Sequence, residues 1–313
     1  MLRLLILLAS LWLPSLGVAQ PLLSPDELSA RLGDPALRIV DIRATPAREA
    51  SSYASGHIPG ALSAPYGKWR GPAANPGALP DAAALQSLIR SLGIDAGTPV
   101  VVAAEGKDTT EFGAAARVYW TLKAAGLTRL SILNGGMKAW RAAGGAVTAD
   151  VRAVAPSQFV VAWNPQIIAS REEVQQAAAQ QSDLLLDARP LAYFRGESRH
   201  PAARAPGTLV GAKNVPHDVW FVGDSARLQS TADAQRIAAE HGIATDQPTV
   251  SFCNTGHWAA TNWFVLSEVL GQKDVKLYPE SMVGWSQAGL PMDHVPGRLQ
   301  QFWLQFREAI GAL

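Results

Sequence analysis

The 313-residue sequence contains one cysteine, Cys253. No internal disulfide can form, so an apolar core must hold the fold together. Charge of one sign is not in excess either, with 27 Lys and Arg against 26 Asp and Glu. That balance argues against a surface built for nucleic acid or an anionic membrane. Long apolar runs are also scarce: Leu4 to Leu13 is the only one of note, and it is short for a bilayer span. No cluster of His and Cys has metal-ligand spacing, so neither a metal nor a cofactor is expected.

The first residues, Met1-Leu2-Arg3, are followed by that short apolar run and by Gly17-Val18-Ala19 before Gln20. One positive charge, a short apolar centre and small residues at −3 and −1 form the layout of a secretory signal cut after Ala19. An uncleaved anchor is the alternative, which the shortness of the run disfavours. The mature chain is therefore expected to be soluble, exported and, in a Gram-negative cell, periplasmic, with no membrane association after cleavage. Cleavage removes only Arg3 among the charged residues, leaving basic and acidic residues equal in number. A lone thiol in an oxidising compartment is either a small buried hydrophobe or a chemical group.

Along the chain, Ser24-Pro25-Asp26-Glu27 opens a short helix that stops near Gly33. Leu37 to Arg43, Val100 to Ala103 and Leu130 to Leu133 are buried-strand runs. Helices are expected from Asp81 to Leu92, through about Ala125, and after Gly135-Gly136. Strands alternating with helices at this spacing predict an α/β fold with mostly parallel sheets flanked by helices.

The second half repeats the first. Asp41-Ile42-Arg43 returns as Asp187-Ala188-Arg189, Gly60-Ala61 as Gly211-Ala212, Val100–Ala104 as the run ending at Cys253, and Trp140 as Trp285, all about 150 residues apart. This order predicts a tandem duplication: a first domain over 20–145, a linker over 146–165 with Pro156 and Pro165, and a second domain over 166–313. A C-terminal helix is expected from Arg298 to Ala312, with Leu299, Phe302, Trp303, Phe306 and Ile310 on one face.

The stretch from Thr249 to Ala260 carries the chemistry. An apolar strand delivers Cys253 to the polar turn Asn254-Thr255-Gly256-His257, and Trp258 to Leu270 reads as a helix ended by Gly271. Successive backbone N–H groups at such a turn favour an anion, including a thiolate. Cys253 is thus a candidate sulfur-carrying nucleophile.

The repeat resembles the rhodanese family of sulfurtransferases, specifically the two-domain thiosulfate and 3-mercaptopyruvate enzymes. The matching residues are Asp41-Ile42-Arg43 with Gly56-His57-Ile58-Pro59-Gly60-Ala61, Asn134 to Trp140, Asp187-Ala188-Arg189, Gly211 to Pro216, Cys253 to Ala259, and Ser281 with Trp285. The resemblance implies two tandem rhodanese-like domains, of which only the second retains its cysteine. Ala104 stands at the matching place in the first, and the polar loop Glu105 to Thr110 is expected to be a structural relic.

By the same resemblance, Cys253 accepts a sulfane sulfur as a persulfide and passes it to cyanide or a thiol, with thiosulfate as donor. The alternatives are 3-mercaptopyruvate as donor, or a non-catalytic persulfide carrier. Asn254, Thr255, Gly256, His257, Trp258 and Ala259 are expected to line the donor site, largely through their backbone. Thr255 offers a hydroxyl to a donor or caps the helix. His257 assists the thiolate or an anionic donor, or is a solvated loop residue. Trp258 walls the pocket or packs under the helix. Arg189 reaches the loop or pairs with Asp187. Tyr193 occupies the place of the family's usual donor-binding arginine, and Arg195, ahead of Arg199 and Arg204, is the first candidate to replace that charge.

Overall fold

The computed structural model describes residues 20–44 and 52–297. The signal-like segment 1–19 and the helix expected over 298–312 lie outside the described residues.

The first half runs β1 (Leu22–Leu23), α1 (Pro25–Ser29), β2 (Arg38–Asp41), β3 (Leu62–Ser63), α2 (Ala82–Ser91), β4 (Val100–Ala103), α3 (Thr109–Ala124), β5 (Leu130–Leu133) and α4 (Gly136–Ala142). Its strands form one parallel sheet in the order β1-β5-β4-β2-β3. Helices cover a parallel sheet on both faces, so an inner strand such as Val100-Val101-Val102-Ala103 is apolar at every position. All four of these residues are buried. Side-chain caps set the helix starts: Ser24 and Glu27 form a capping box, and Asp81 and Asp108 accept the N–H groups of Ala84 and Glu111.

The second half runs α5 (Arg171–Gln180), β6 (Leu184–Asp187), α6 (Leu191–Phe194), β7 (Thr208–Leu209), β8 (Lys213–Asn214), α7 (Thr231–Glu240), β9 (Thr249–Phe252), α8 (Trp258–Trp263), β10 (Val275–Leu277), α9 (Ser281–Gln287) and β11 (Met292–Asp293). A parallel sheet orders as β10-β9-β6-β8, repeating β5-β4-β2-β3, and β7 pairs antiparallel with β11. The duplication extends to side chains. Arg43 donates to Asp41 at 2.7 Å and to the Gly56 carbonyl at 2.8 Å, while Arg189 donates to Asp187 at 2.5 Å and to the Gly207 carbonyl at 2.8 Å.

The two halves meet along α3 and α8. Phe112 meets Phe264 edge-on at 5.8 Å between centroids, and Tyr119 meets Phe264 at 5.0 Å. Such pairs each add about 0.5–1.5 kcal/mol beyond their buried area. One apolar cluster joins Trp69 and Trp120 to Trp220 and Trp263, so the two sheets share a core. The helix expected over Trp258–Leu270 is α-helical only to Trp263 and continues as a π-helix over Phe264–Val269. This wider turn presents Glu268 to α3, where it accepts from Tyr119 Oη and Lys123 Nζ, each at 2.6 Å. Among the described residues no helix is long and apolar enough to cross a membrane.

Candidate active site

β9 lies between β10 and β6, and all four of its residues are buried. It releases the chain at Cys253, which is 1% exposed, into the loop before α8. The neighbouring strand ends supply the surroundings: Asp187 at the end of β6, Arg189 just beyond it, and Ser281 after β10. Ser281 sits at φ +51°, a left-handed conformation that disfavours side chains. Its hydroxyl accepts the N–H groups of Cys253 and Gly256, both at 3.1 Å, and donates to the Tyr278 carbonyl at 2.8 Å. Three hydrogen bonds offset the strain of that backbone.

Four consecutive carbonyls of the loop are taken by partners outside it. Cys253 O and Asn254 O accept from the N–H groups of Met282 and Val283, each at 3.0 Å, at the start of α9. Thr255 O accepts from Arg70 at 2.8 Å and Arg117 at 3.3 Å, and Gly256 O accepts from Arg117 at 3.2 Å. A trans peptide directs its N–H opposite its C=O. The amides of Asn254, Thr255 and His257 therefore point away from these partners, in the manner of an anion-binding nest.

The loop residues divide by what they touch. Arg189 fills the ion-pair role with Asp187, and its Nη1 also lies 3.4 Å from Asn254 Oδ1. Asn254, Thr255, Gly256 and Ala259 are buried. Trp258 is half-buried and stacks on His217, with centroids 4.9 Å apart and planes 11° apart. Tyr193 meets Trp258 edge-on at 6.0 Å, and the Arg189 guanidinium stands 6.0 Å from the Tyr193 ring. Arg195 is exposed at the end of α6. Arg199 donates to the Ala203 carbonyl.

Two expectations need correction. The first is His257 as a residue beside the sulfur that assists the thiolate or an anionic donor, or else is solvated in the loop. Its Nε2 contacts the Thr110 carbonyl at 2.7 Å and its Nδ1 contacts Tyr66 Oη at 2.7 Å. A carbonyl only accepts, so Nε2 carries the proton and Nδ1 accepts from the tyrosine. Burial, with Arg70 nearby, lowers the His257 pKa to about 3. The ring is a neutral latch to the first domain.

The second is the Glu105–Thr110 loop as a relic. Besides holding His257, Thr110 accepts from Trp258 Nε1 at 3.3 Å, and Thr109 Oγ1 lies 3.3 Å from His217 Nε2. The loop that lacks a cysteine braces the one that has it.

Sequence reasoning assigned no role to Ser281, Tyr66, Arg70, Arg117 or His217. Ser281 had a signal: its counterpart by repeat spacing is Gly136, at φ +59°, so a serine replaces a glycine in the copy that carries the cysteine. The two arginines had none, because they lie far from Cys253 in sequence. Among the described residues no three His, Cys, Asp or Glu side chains converge as metal ligands.

Comparison with known proteins agrees with this architecture. The rhodanese-like domain matches residues 24–143 and again 170–288. A thiosulfate sulfurtransferase of Pseudomonas aeruginosa is 33% identical over 267 residues, which is 84% of this chain and 93% of that one. A 3-mercaptopyruvate sulfurtransferase of Escherichia coli is 29% identical over 288 residues, 86% of this chain and 96% of that one. The crystal structure of SseA from Escherichia coli, described as a 3-mercaptopyruvate sulfotransferase of rhodanese fold, superposes with a TM-score of 0.72 at 27% identity, covering 83% of this chain and 98% of that one. With two matches in series spanning most of its length, the chain belongs to the rhodanese-like family, as a tandem pair of its domains.

Proposed function

We propose that this protein is a sulfurtransferase that moves a sulfane sulfur from thiosulfate to cyanide or a thiol through Cys253. The Cys253 thiolate attacks the outer sulfur of thiosulfate. A sulfur–sulfur bond forms on the enzyme, and sulfite leaves with the electron pair of the bond that breaks. Cyanide then attacks the outer sulfur of the persulfide, giving thiocyanate and returning the thiolate. The observation that carries this reading is the loop itself: the sole cysteine ends a buried strand where four successive carbonyls are held outward.

A second reading is 3-mercaptopyruvate as donor. The similarity to the Escherichia coli enzyme supports it, as does the hydroxyl of Thr255 two residues after the cysteine. Tyr193 weighs against it, because it stands at the place of the family's usual donor-binding arginine and offers no charge to an α-keto carboxylate. The sequence of residues 1–19 supports an exported, periplasmic location with cleavage after Ala19, which cell fractionation and N-terminal sequencing test: absence from the periplasmic fraction rejects the location, and a start other than Gln20 rejects the cleavage site.

Intact mass before and after thiosulfate, with cyanide turnover measured in parallel, tests the activity. The expected result is a gain of one sulfur atom, lost in Cys253→Ser, with steady turnover. A gain from 3-mercaptopyruvate alone selects the second reading, and loading without turnover identifies a carrier. Full turnover by Cys253→Ser overturns the role of the cysteine.

A further inference from the structure

The cysteine loop has two halves with different owners. Its first two carbonyls, of Cys253 and Asn254, are held by amides of α9 in the same domain. Its next two, of Thr255 and Gly256, are held by guanidinium groups of the other domain. Arg117 comes from the middle of α3 and is 0% exposed. It also donates to the Gly77 carbonyl at 2.8 Å, and its guanidinium lies 5.0 Å from the Trp120 ring. Arg70 follows the short turn Tyr66–Trp69 and donates to Tyr66 Oη at 2.7 Å, the same hydroxyl that meets His257. No carboxylate is bonded to either guanidinium in the described contacts: their partners are loop carbonyls and hydroxyl groups.

Burying a cation without a carboxylate is unfavourable unless something else compensates. Here the compensating groups are the carbonyls of the loop that follows Cys253. A guanidinium on a carbonyl polarises the peptide and makes its N–H a stronger donor, an effect passed along a chain of hydrogen bonds. The same two cations bring positive charge toward the strand end where an anionic sulfur would form.

We propose that Arg70 and Arg117 of the cysteine-free domain are positioning residues for the Cys253 loop, holding the Thr255 and Gly256 carbonyls away from the sulfur so that the Gly256 amide stays on Ser281 Oγ and the His257 amide keeps its thiolate-stabilising orientation. The inference rests on Cys253 being the reacting thiol. It gives the first domain a part in the chemistry even though Ala104 stands where its own cysteine would be. Removal of Arg117 frees the Gly256 carbonyl to turn inward, where it repels an anion, whereas removal of Arg70 leaves the Thr255 carbonyl with only the 3.3 Å contact to Arg117 and withdraws a cation from the loop.

The test is the pH dependence of thiolate absorbance in the full mature chain, with Cys253→Ser as the baseline, for wild type, Arg70→Met, Arg70→Lys and Arg117→Lys. Because the readout uses no donor, it stands whatever the sulfur substrate proves to be. If wild type gains no sulfur from any donor, the sulfurtransferase reading fails while the positioning result remains readable. Arg70→Met is expected to move the thiolate curve to higher pH and to lower the persulfide loading rate at neutral pH about tenfold. Arg70→Lys should recover most of the loss, whereas Arg117→Lys should itself shift the curve upward, because three ammonium donors cannot reproduce the guanidinium's contacts with four carbonyls. Arg70 is half-buried and its methionine variant keeps the stem packing, so its thermal transition reports whether the fold survives. Folded Arg70→Met and Arg117→Lys proteins with an unchanged thiolate curve would overturn the proposal.

Discussion

Arg189 Nη1 lies 3.4 Å from the side-chain oxygen of Asn254, whereas at the equivalent place in the first domain Arg43 Nη1 lies 2.9 Å from the carboxylate of Glu105. The two arginines otherwise match, each paired with the aspartate two residues before it. The copy with the cysteine therefore has an amide, not a second carboxylate, beside its arginine. A negative charge next to Cys253 would oppose formation of a thiolate.

Asn254→Glu copies the first domain into the second. It should reduce the thiolate fraction at neutral pH about tenfold, equivalent to about 1.4 kcal/mol, and slow persulfide loading in proportion. Thiolate absorbance against pH measures this, and Asn254→Gln, which adds length without charge, should leave the curve near wild type. Equal curves for the glutamate and glutamine variants would remove the electrostatic explanation.

Tyr193 meets Trp258 edge-on rather than presenting a charge. Tyr193→Arg should lower KM for 3-mercaptopyruvate relative to thiosulfate by about tenfold, because a guanidinium can grip a carboxylate with two parallel hydrogen bonds. The ratio of kcat/KM for the two donors is the measurement. An unmoved ratio would place residue 193 outside the donor path.

The His257 latch sets a pH dependence of stability. Burial lowers its pKa from 6.5 to about 3, so between these values the unfolded chain takes up a proton that the native chain does not. Stability is complete above pH 6.5 and falls as the pH drops toward 3. His217, whose pKa is lowered mainly by burial, adds to the same slope. Melting temperature against pH should show this fall, and His257→Gln should flatten it. A pH–rate profile for turnover should lack an inflection belonging to His257 near 6.5.

Gly256 has φ +64°, and a Cβ there would stand 2.4 Å from Arg117 Nη1 and 2.7 Å from the Pro279 carbonyl oxygen. The backbone oxygen cannot swing away. Gly256→Ala should destabilise the protein by about 2 kcal/mol or more and abolish persulfide loading, since backbone strain and displacement of Arg117 act together. A denaturant midpoint within error of wild type would contradict this.

Local chemistry made much of this protein readable in advance. The apolar run Val100–Ala103 is a strand because two-sided burial leaves no polar alternation, and Ser24 and Asp81 start helices by capping nearby amides. The duplication was visible because Asp41-Ile42-Arg43 and Asp187-Ala188-Arg189 make the same ion pair in each half. The helix after Cys253 was legible as a helix but not in its π turn, where Glu268 meets Tyr119 and Lys123 from far away in the chain.

The sequence by itself determined the parallel α/β repeat and the place of the lone thiol at the end of a strand, because period, capping and spacing act over a few neighbouring residues. Only the tertiary structure decided what surrounds that thiol. Arg70 and Arg117 reach the Thr255 and Gly256 carbonyls, and His257 becomes a neutral link between Tyr66 and Thr110, only when the two sheets pack against each other. Burial and hydrogen-bond partners set the charge of a side chain, and both are properties of the packed chain rather than of its local sequence.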